Sequence, residues 1–388
     1  MKKVNSGLVY LGLKIDSRHT RREILKSRIV YIINFFWLNG DVLGAIICFI
    51  NAVINLKSFE KATYIAPCFV FSTFANSRAY TLVHYNTEIN SIINTLLYLE
   101  DRENKKPKSK ERKDIIHRGL CFLNIVISGT KVLNIVLVMT FFVSPLVLVV
   151  VKYFKTNEWK LLLPFLITYP FDPYDIRYWP FVYIHQIWSE IIVVLSTCCT
   201  DILLYIFCTF ISIQFRLLQY EIRNIFKNQC RNREEFHDVF IELVKWHQKL
   251  ICVSKTLDIV YTKSTLLNFL VSSIIICLTG FNFMVFEDKM LACTFFVFLS
   301  SNLLQIFFLC YFGDMLMRSS EEVSSAIYNS EWYSKGRGIG KNFHIVHARS
   351  QKPCKLTAFR YADVNLRAFT SILSTAWSYF ALLKTLYK

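Results

Sequence analysis

Residues 119–151 read GLCFLNIVISGTKVLNIVLVMTFFVSPLVLVVV, an apolar stretch carrying a single charge, Lys131. About 20 mostly apolar residues as a helix cross the hydrocarbon core of a bilayer. This run is longer than that and too apolar for the surface of a soluble fold. Six further runs recur along the chain, at roughly 28–55, 62–84, 181–215, 262–286, 290–317 and 364–387. In lipid, backbone groups must be satisfied within the segment, which makes each run a helix. The sequence therefore predicts an all-α integral membrane protein of seven transmembrane helices, residues 1–388 forming one unit.

Composition agrees. The chain has 388 residues, of which 54% are hydrophobic and 16% aromatic, with 34 Phe, 20 Tyr and few Gly or Pro. Mean hydropathy is +0.36. Soluble domains average about 45–50% apolar. The first 27 residues are polar and basic, with no short apolar segment before a small-residue cleavage site, so the first run is expected to be a retained anchor rather than a signal peptide. Asn39, Gly40 and Asp41 interrupt that run. Asp41 is expected either to face the bundle interior or to mark a break.

Several runs exceed a membrane crossing and should tilt or project beyond it. The second continues without a breaker to Leu99, and the fourth toward Phe226. Residues 235–260 place Phe236, Phe240, Leu243, Trp246 and Leu250 at helical spacing with a polar opposite face. A helical bundle outside the membrane is expected there.

The net charge of +17 is informative through its location. About 33 of the 45 Lys and Arg fall in the N-terminus and the segments 99–118, 216–255 and 318–367, while about 9 lie in the alternate segments and the C-terminus. Basic residues stay cytoplasmic. The asymmetry predicts a cytoplasmic N-terminus and, with seven spans, an extracellular C-terminus. The dense cluster Lys105–Lys110 serves that topology and suits anionic lipid, not nucleic acid. A G-protein-coupled receptor has the opposite orientation, and its usual Asp-Arg pair after the third span is missing.

The twelve cysteines show no metal-ligand spacing. Most lie in apolar runs and read as small hydrophobic packers. No phosphate-binding loop, dinucleotide fingerprint or nucleophile elbow is present, so neither an enzyme nor a cofactor is expected.

Three stretches carry a family resemblance. The first is Tyr169-Pro170-Phe171-Asp172 with Val182-Tyr183-Ile184-His185-Gln186. The second is Gln305, Cys310-Tyr311-Phe312-Gly313-Asp314 and Ala326-Ile327-Tyr328-Asn329-Ser330-Glu331-Trp332-Tyr333. The third is Ser350-Gln351-Lys352-Pro353, Leu356-Thr357-Ala358, Phe369-Thr370-Ser371-Ile372-Leu373 and Ser378-Tyr379-Phe380. In order and spacing they resemble insect odorant receptors, most densely over the last 80 residues. Gustatory receptors share the inverted topology, but their last span usually carries Thr-Tyr and then Gln-Phe. Here the run reads Ser378-Tyr379 and ends Thr385-Leu386. The large insertion of the co-receptor subunit is absent between Gln219 and Lys249, so the chain resembles a ligand-tuned subunit.

That resemblance implies a plasma-membrane, odorant- or pheromone-gated cation channel of olfactory neurons, assembled as a heterotetramer with a co-receptor. The last helix of each subunit would line the pore, and the inner helix ends would form an anchor between subunits. Aligning Ser378-Tyr379-Phe380 with the family's motif puts Leu382, Thr385 and Leu386 on the pore. Their i, i+3, i+4 spacing places them on one helical face, a pattern that helix packing alone also produces. The ligand should be small, volatile and largely apolar. By depth and helical spacing, the contact residues expected are Phe69, Thr73, Leu137, Thr140, Ser144, Tyr183, Ile191, Phe295 and Phe298, each of which could equally be plain core.

Overall fold

The computed structural model describes residues 21–54, 59–106, 109–225, 233–286, 288–330 and 337–387. Among these residues nine α-helices follow one another: α1 (Arg21–Ile54), α2 (Phe59–His84), α3 (Asn86–Asn104), α4 (Lys110–Thr156), α5 (Trp179–Asn224), α6 (Arg233–Val285), α7 (Lys289–Tyr328), α8 (Arg337–Ser350) and α9 (Leu366–Tyr387). A two-stranded hairpin, β1 (Thr357–Ala358) and β2 (Ala362–Asp363), lies between α8 and α9.

The seven spans are α1, α2, α4, α5, α6, α7 and α9. Five of these, all but α2 and α9, are apolar enough by length and composition to cross a membrane. The other two carry internal polar groups, Arg78 and Asn76 on α2 and a row of Ser and Thr on α9. Each still packs in the bundle, α2 against α1, α5 and α6, and α9 against α6 and α7.

Helix α5 is the hub. Its side chains are buried almost without interruption from Ile192 to Leu218, hydroxyls included. Thr197, Thr200 and Thr209 return their hydroxyls to carbonyls one turn back, at 3.0, 2.7 and 2.7 Å, which satisfies these polar groups within the core. Outward faces are apolar instead. Ile29, Ile33, Phe36 and Leu43 on α1, and Val132, Ile135 and Met139 on α4, are exposed. Such a belt is stable only against lipid.

Helix lengths exceed the membrane. At 1.5 Å per residue, the 47 residues of α4 and 53 of α6 run about 70 and 80 Å, against a hydrocarbon core of about 30 Å. The amphipathic segment at 235–260 and the span at 262–286 are one continuous helix, because no breaker separates them. The expected run from 62 to Leu99 is instead divided at Tyr85 (φ −97°, ψ 25°).

The segments that carry the positive charge meet at one end. Arg112 pairs with Glu221 and lies 3.5 Å from Glu103. Lys106 lies 3.4 Å from each of those carboxylates, and Arg102 reaches Glu242 at 3.5 Å. Burial pushes the Lys106 ammonium down while Glu103 pulls it back up. Arg102 and Lys106 also cover the Trp246 ring at 4.7 and 4.9 Å. Helix α8 closes this end by stacking Phe343 on Phe240 at 4.5 Å.

The hairpin ties α6 to the start of α9. Thr357 donates its amide to Asp258 at 2.6 Å, Phe359 donates to Thr262 at 2.8 Å, and Val364 donates to Leu356 at 2.9 Å. Gly313 of α7 abuts this segment. A Cβ there would meet the Val364 carbonyl oxygen at 2.4 Å.

Candidate functional site

At the opposite end of the bundle, residues 157–178 between α4 and α5 fold inward. Gln186 of α5 holds the segment on both sides, accepting from the Phe165 amide at 3.0 Å and donating to the Phe165 carbonyl at 3.2 Å. Tyr64 of α2 donates to Pro164 at 3.0 Å, and Trp179 to Leu162 at 3.0 Å. Thr168 donates to the Gly44 carbonyl at 3.2 Å. A Cβ on Gly44 would meet Ile167 at 2.5 Å and the Thr168 carbonyl at 2.8 Å, so only glycine permits this approach.

Asp41 lies within an unbroken helix and is 6% exposed. It accepts hydrogen bonds from Tyr169 at 3.0 Å and Ser189 at 2.5 Å, with His185 at 3.2 Å. The interior-facing alternative holds, and the residue ties α1 to α5 and to the inward loop.

Beneath the loop is a cavity. Helix α1 contributes Leu38, Asp41, Val42 and Ala45; α2 contributes Tyr64, Cys68, Phe69, Phe71 and Ser72; α4 contributes Leu137 and Phe141. Phe165–Ile167 form its roof, Ser189, Glu190, Val193 and Val194 of α5 one wall, and Phe298 of α7 another. Aromatic rings interlock around it. Phe298 meets Phe71 at 5.4 Å and Phe141 at 5.9 Å, and Phe141 stacks on Phe165 at 5.3 Å. An apolar, aromatic chamber with a few polar groups is the chemistry of a small-molecule site.

A second cavity adjoins it and shares Tyr64, Phe141 and Leu166. Ser144, Pro145, Leu163, Phe286 and Phe295 line it, and Glu60, Lys61, Lys152 and Asp288 bring charge to it. Tyr64 stands edge-on to Phe295 at 5.5 Å and to Phe286 at 5.9 Å.

Of the residues expected from sequence, Phe69, Leu137 and Phe298 line the first cavity, and Ser144 and Phe295 the second. Thr73, Thr140, Tyr183 and Ile191 line neither. Thr73 and Thr140 return their hydroxyls to Val70 and Leu137 at 2.8 and 2.7 Å. Tyr183 donates to the Phe142 carbonyl and packs with Leu163 and Val182. One residue along a helix is a rotation of about 100°, which turns Thr73 and Ile191 away while Ser72 and Glu190 face in. Asp41, Tyr64 and Glu190 were not among the expected contacts. Asp41 and Glu190 carry a signal, a charge inside a mostly apolar run; Tyr64 carries none.

A second polar centre lies deeper. Arg78 of α2 is paired with Asp201 of α5, and both side chains are at most 5% exposed. Gln305 of α7 donates to the other Asp201 oxygen at 2.8 Å, and Arg78 also donates to the Thr197 carbonyl at 3.3 Å. The guanidinium covers the Phe74 ring at 4.5 Å. Three helices are pinned at one point.

A family model described as 7tm Odorant receptor matches residues 58–377. The chain belongs to the 7tm odorant receptor family. Odorant receptor 67c of Drosophila melanogaster is 25% identical over 386 residues, covering 95% of this receptor and 91% of that protein. Odorant receptor 13a of the same fly is 30% identical over 243 residues, 58% and 57% of the two chains. The receptor's fold matches that of the olfactory receptor OR5 from Machilis hrabei in complex with eugenol, with a TM-score of 0.82 and 16% identity over 99% of this chain and 97% of that one. The receptor is thus a multi-pass membrane protein with the odorant receptor fold, as its sequence motifs imply.

On α9, Ile372 and Ala376 are buried against the bundle. The opposite side is open. Ser371, Ser374, Ser378 and Thr385 are exposed there, together with Leu382 at 58%. At 100° per residue these five fall within a sector of about 80°. The side chain of Leu386 lies outside the described residues.

Proposed function

We propose that the receptor is a ligand-tuned subunit of an odorant-gated cation channel, assembled with a co-receptor in a heterotetramer, with its N-terminus cytoplasmic and its C-terminus extracellular. The observation that carries the reading is the open hydroxyl stripe of α9. The belt on α1 and α4 is apolar, as a lipid-facing surface should be. A stripe of four hydroxyls is a poor lipid face and a good wall for a conduit. Hydroxyl rings can partly replace ion hydration, and a Leu ring can close a pore by dewetting. In this reading Leu382 and Thr385 of the stripe, with Leu386 next in sequence, line the pore.

In this reading the cavity under the inward loop is the odorant site, with Phe69, Leu137 and Phe298 as apolar contacts. The adjoining cavity with Ser144 and Phe295 is the approach. The charged end at Lys106, Arg112 and Glu221 is the cytoplasmic anchor. A ligand opens the channel only by binding the open state more tightly, and a tenfold population shift takes about 1.4 kcal/mol. A gustatory receptor would share this architecture, but the family match and the Ser378-Tyr379 run favour olfaction.

Co-expression with a co-receptor subunit, with recording across an odorant panel, tests the function. Odorant-evoked current is expected. Thr385→Val should change relative cation permeability by about twofold or more. Absence of evoked current with verified surface delivery, or unchanged permeability ratios, contradicts the reading.

A further inference from the structure

Glu190 sits in the wall of the first cavity and is 7% exposed. Both of its carboxylate oxygens are buried with no hydrogen-bond partner among the described residues. Asp41, on the α1 side of the same cavity, has its oxygens occupied by Tyr169 and Ser189. Among the described residues, no Lys or Arg lines this cavity. Lys61 and Lys152 line the second cavity instead.

An isolated buried carboxyl group is costly unless a partner satisfies it. Here no described residue supplies one, and Glu190 is among the residues that line the space where a ligand would sit. The surroundings specify the partner's sign. Two carboxyl groups, with no Lys or Arg among the described lining residues, make the chamber attractive to positive charge. The faces of Tyr64, Phe69, Phe141 and Phe298 around it suit a cation as well as an apolar body. We propose that this cavity takes a small organic amine, whose nitrogen donates to Glu190 while its hydrocarbon part packs against the aromatic walls.

The proposal rests on the odorant-receptor reading and narrows it to a ligand class. The site gives a role to the glutamate that α5 carries between Ile187 and Val193. It also gives specificity a physical basis, because a hydrocarbon of the same shape would leave the Glu190 oxygens unpaired on binding.

The test is recording from the full channel, co-expressed with a co-receptor, using shape-matched probes: benzylamine, benzyl alcohol and toluene, then hexylamine, hexanol and heptane. A broad ester and ketone panel is applied to the same cells. In the wild type the amine of each set should be roughly 10- to 100-fold more potent than its hydrocarbon, the range for a hydrogen bond to a charged group. Glu190→Gln, and separately Glu190→Met, should collapse that ratio toward one. Amines no more potent than their matched partners, in a receptor that responds to other odorants, overturn the proposal and leave the receptor reading intact. So does an amine preference that survives both substitutions. If either variant fails to reach the surface, the wild-type potency ratio decides by itself. No current to any odorant from channels at the surface removes the receptor reading and the proposal together.

Discussion

Replacing Arg78 by Met is expected to cost about 3–5 kcal/mol of stability and to remove most folded receptor from the cell surface. The magnitude is that of breaking a buried ion pair by deleting one member, which strands the other charge. Among the described residues, Asp201 would be left with Gln305 as its donor, in the core between α2, α5 and α7. Asp201→Leu should be equally damaging, because it strands the guanidinium beside Phe74. The double variant Arg78→Met with Asp201→Leu should recover much of the loss, since apolar replacement of a whole buried pair is often neutral or stabilising. Thermal stability in detergent, followed by size-exclusion recovery, measures this. Single variants as stable as the parent would show that the pair does not hold the bundle. Failure of the double variant to recover would assign the loss to Gln305 or to packing.

The second large effect is expected at Gly313. Its Cβ position falls 2.4 Å from a backbone carbonyl and 2.8 Å from the Val364 side chain. The carbonyl belongs to a residue whose amide is already bonded to Leu356, and the next residue leads into α9. Gly313→Ala must therefore move the start of α9 relative to α7, at a cost of about 1–3 kcal/mol for overpacking. Odorant-evoked current should fall or basal leak rise several-fold. Gly280→Ala is the control, because its Cβ would meet only Phe380, at ordinary contacts of 3.8 and 3.9 Å. Equal behaviour of the two variants would show that the α7 seat does not position α9.

Much of this architecture was readable from apolar runs. The run at 119–151 marks the membrane part of α4, and 290–317 that of α7, because twenty or more apolar residues have few other uses. The end of α2 was not readable. Tyr85 is neither Gly nor Pro, and its change in ψ is a response to packing. The fusion of residues 235–260 with the following span was missed because a change from amphipathic to apolar pattern resembles a boundary, although the helix has no reason to stop.

The site divides in the same way. Depth along a helix follows from counting, and Phe69, Leu137 and Phe298 fall on the wall of the first cavity. Rotation about the helix axis does not follow from counting when a span is apolar all round. Ser72 and Glu190 line the chamber, where depth alone therefore points equally to Thr73 and Ile191. The inward fold of Phe165–Ile167 depends on Gln186, Tyr64 and Gly44, which lie on three different helices. The Arg78–Asp201 pair was half visible: each charge stands alone in an apolar run, but nothing local names its partner across 123 residues of chain.

The claim on which the account turns is that the hydroxyl face of α9 borders water. Cysteine placed singly at Ser371, Ser374, Ser378 or Thr385 should make odorant-evoked current sensitive to a charged, membrane-impermeant thiol reagent that leaves the parent channel unaffected. Cysteine at Ile372 or Ala376, on the packed face, should not. Block confined to the hydroxyl positions is the predicted result, whereas no block at any of them, or equal block on both faces, would contradict the account.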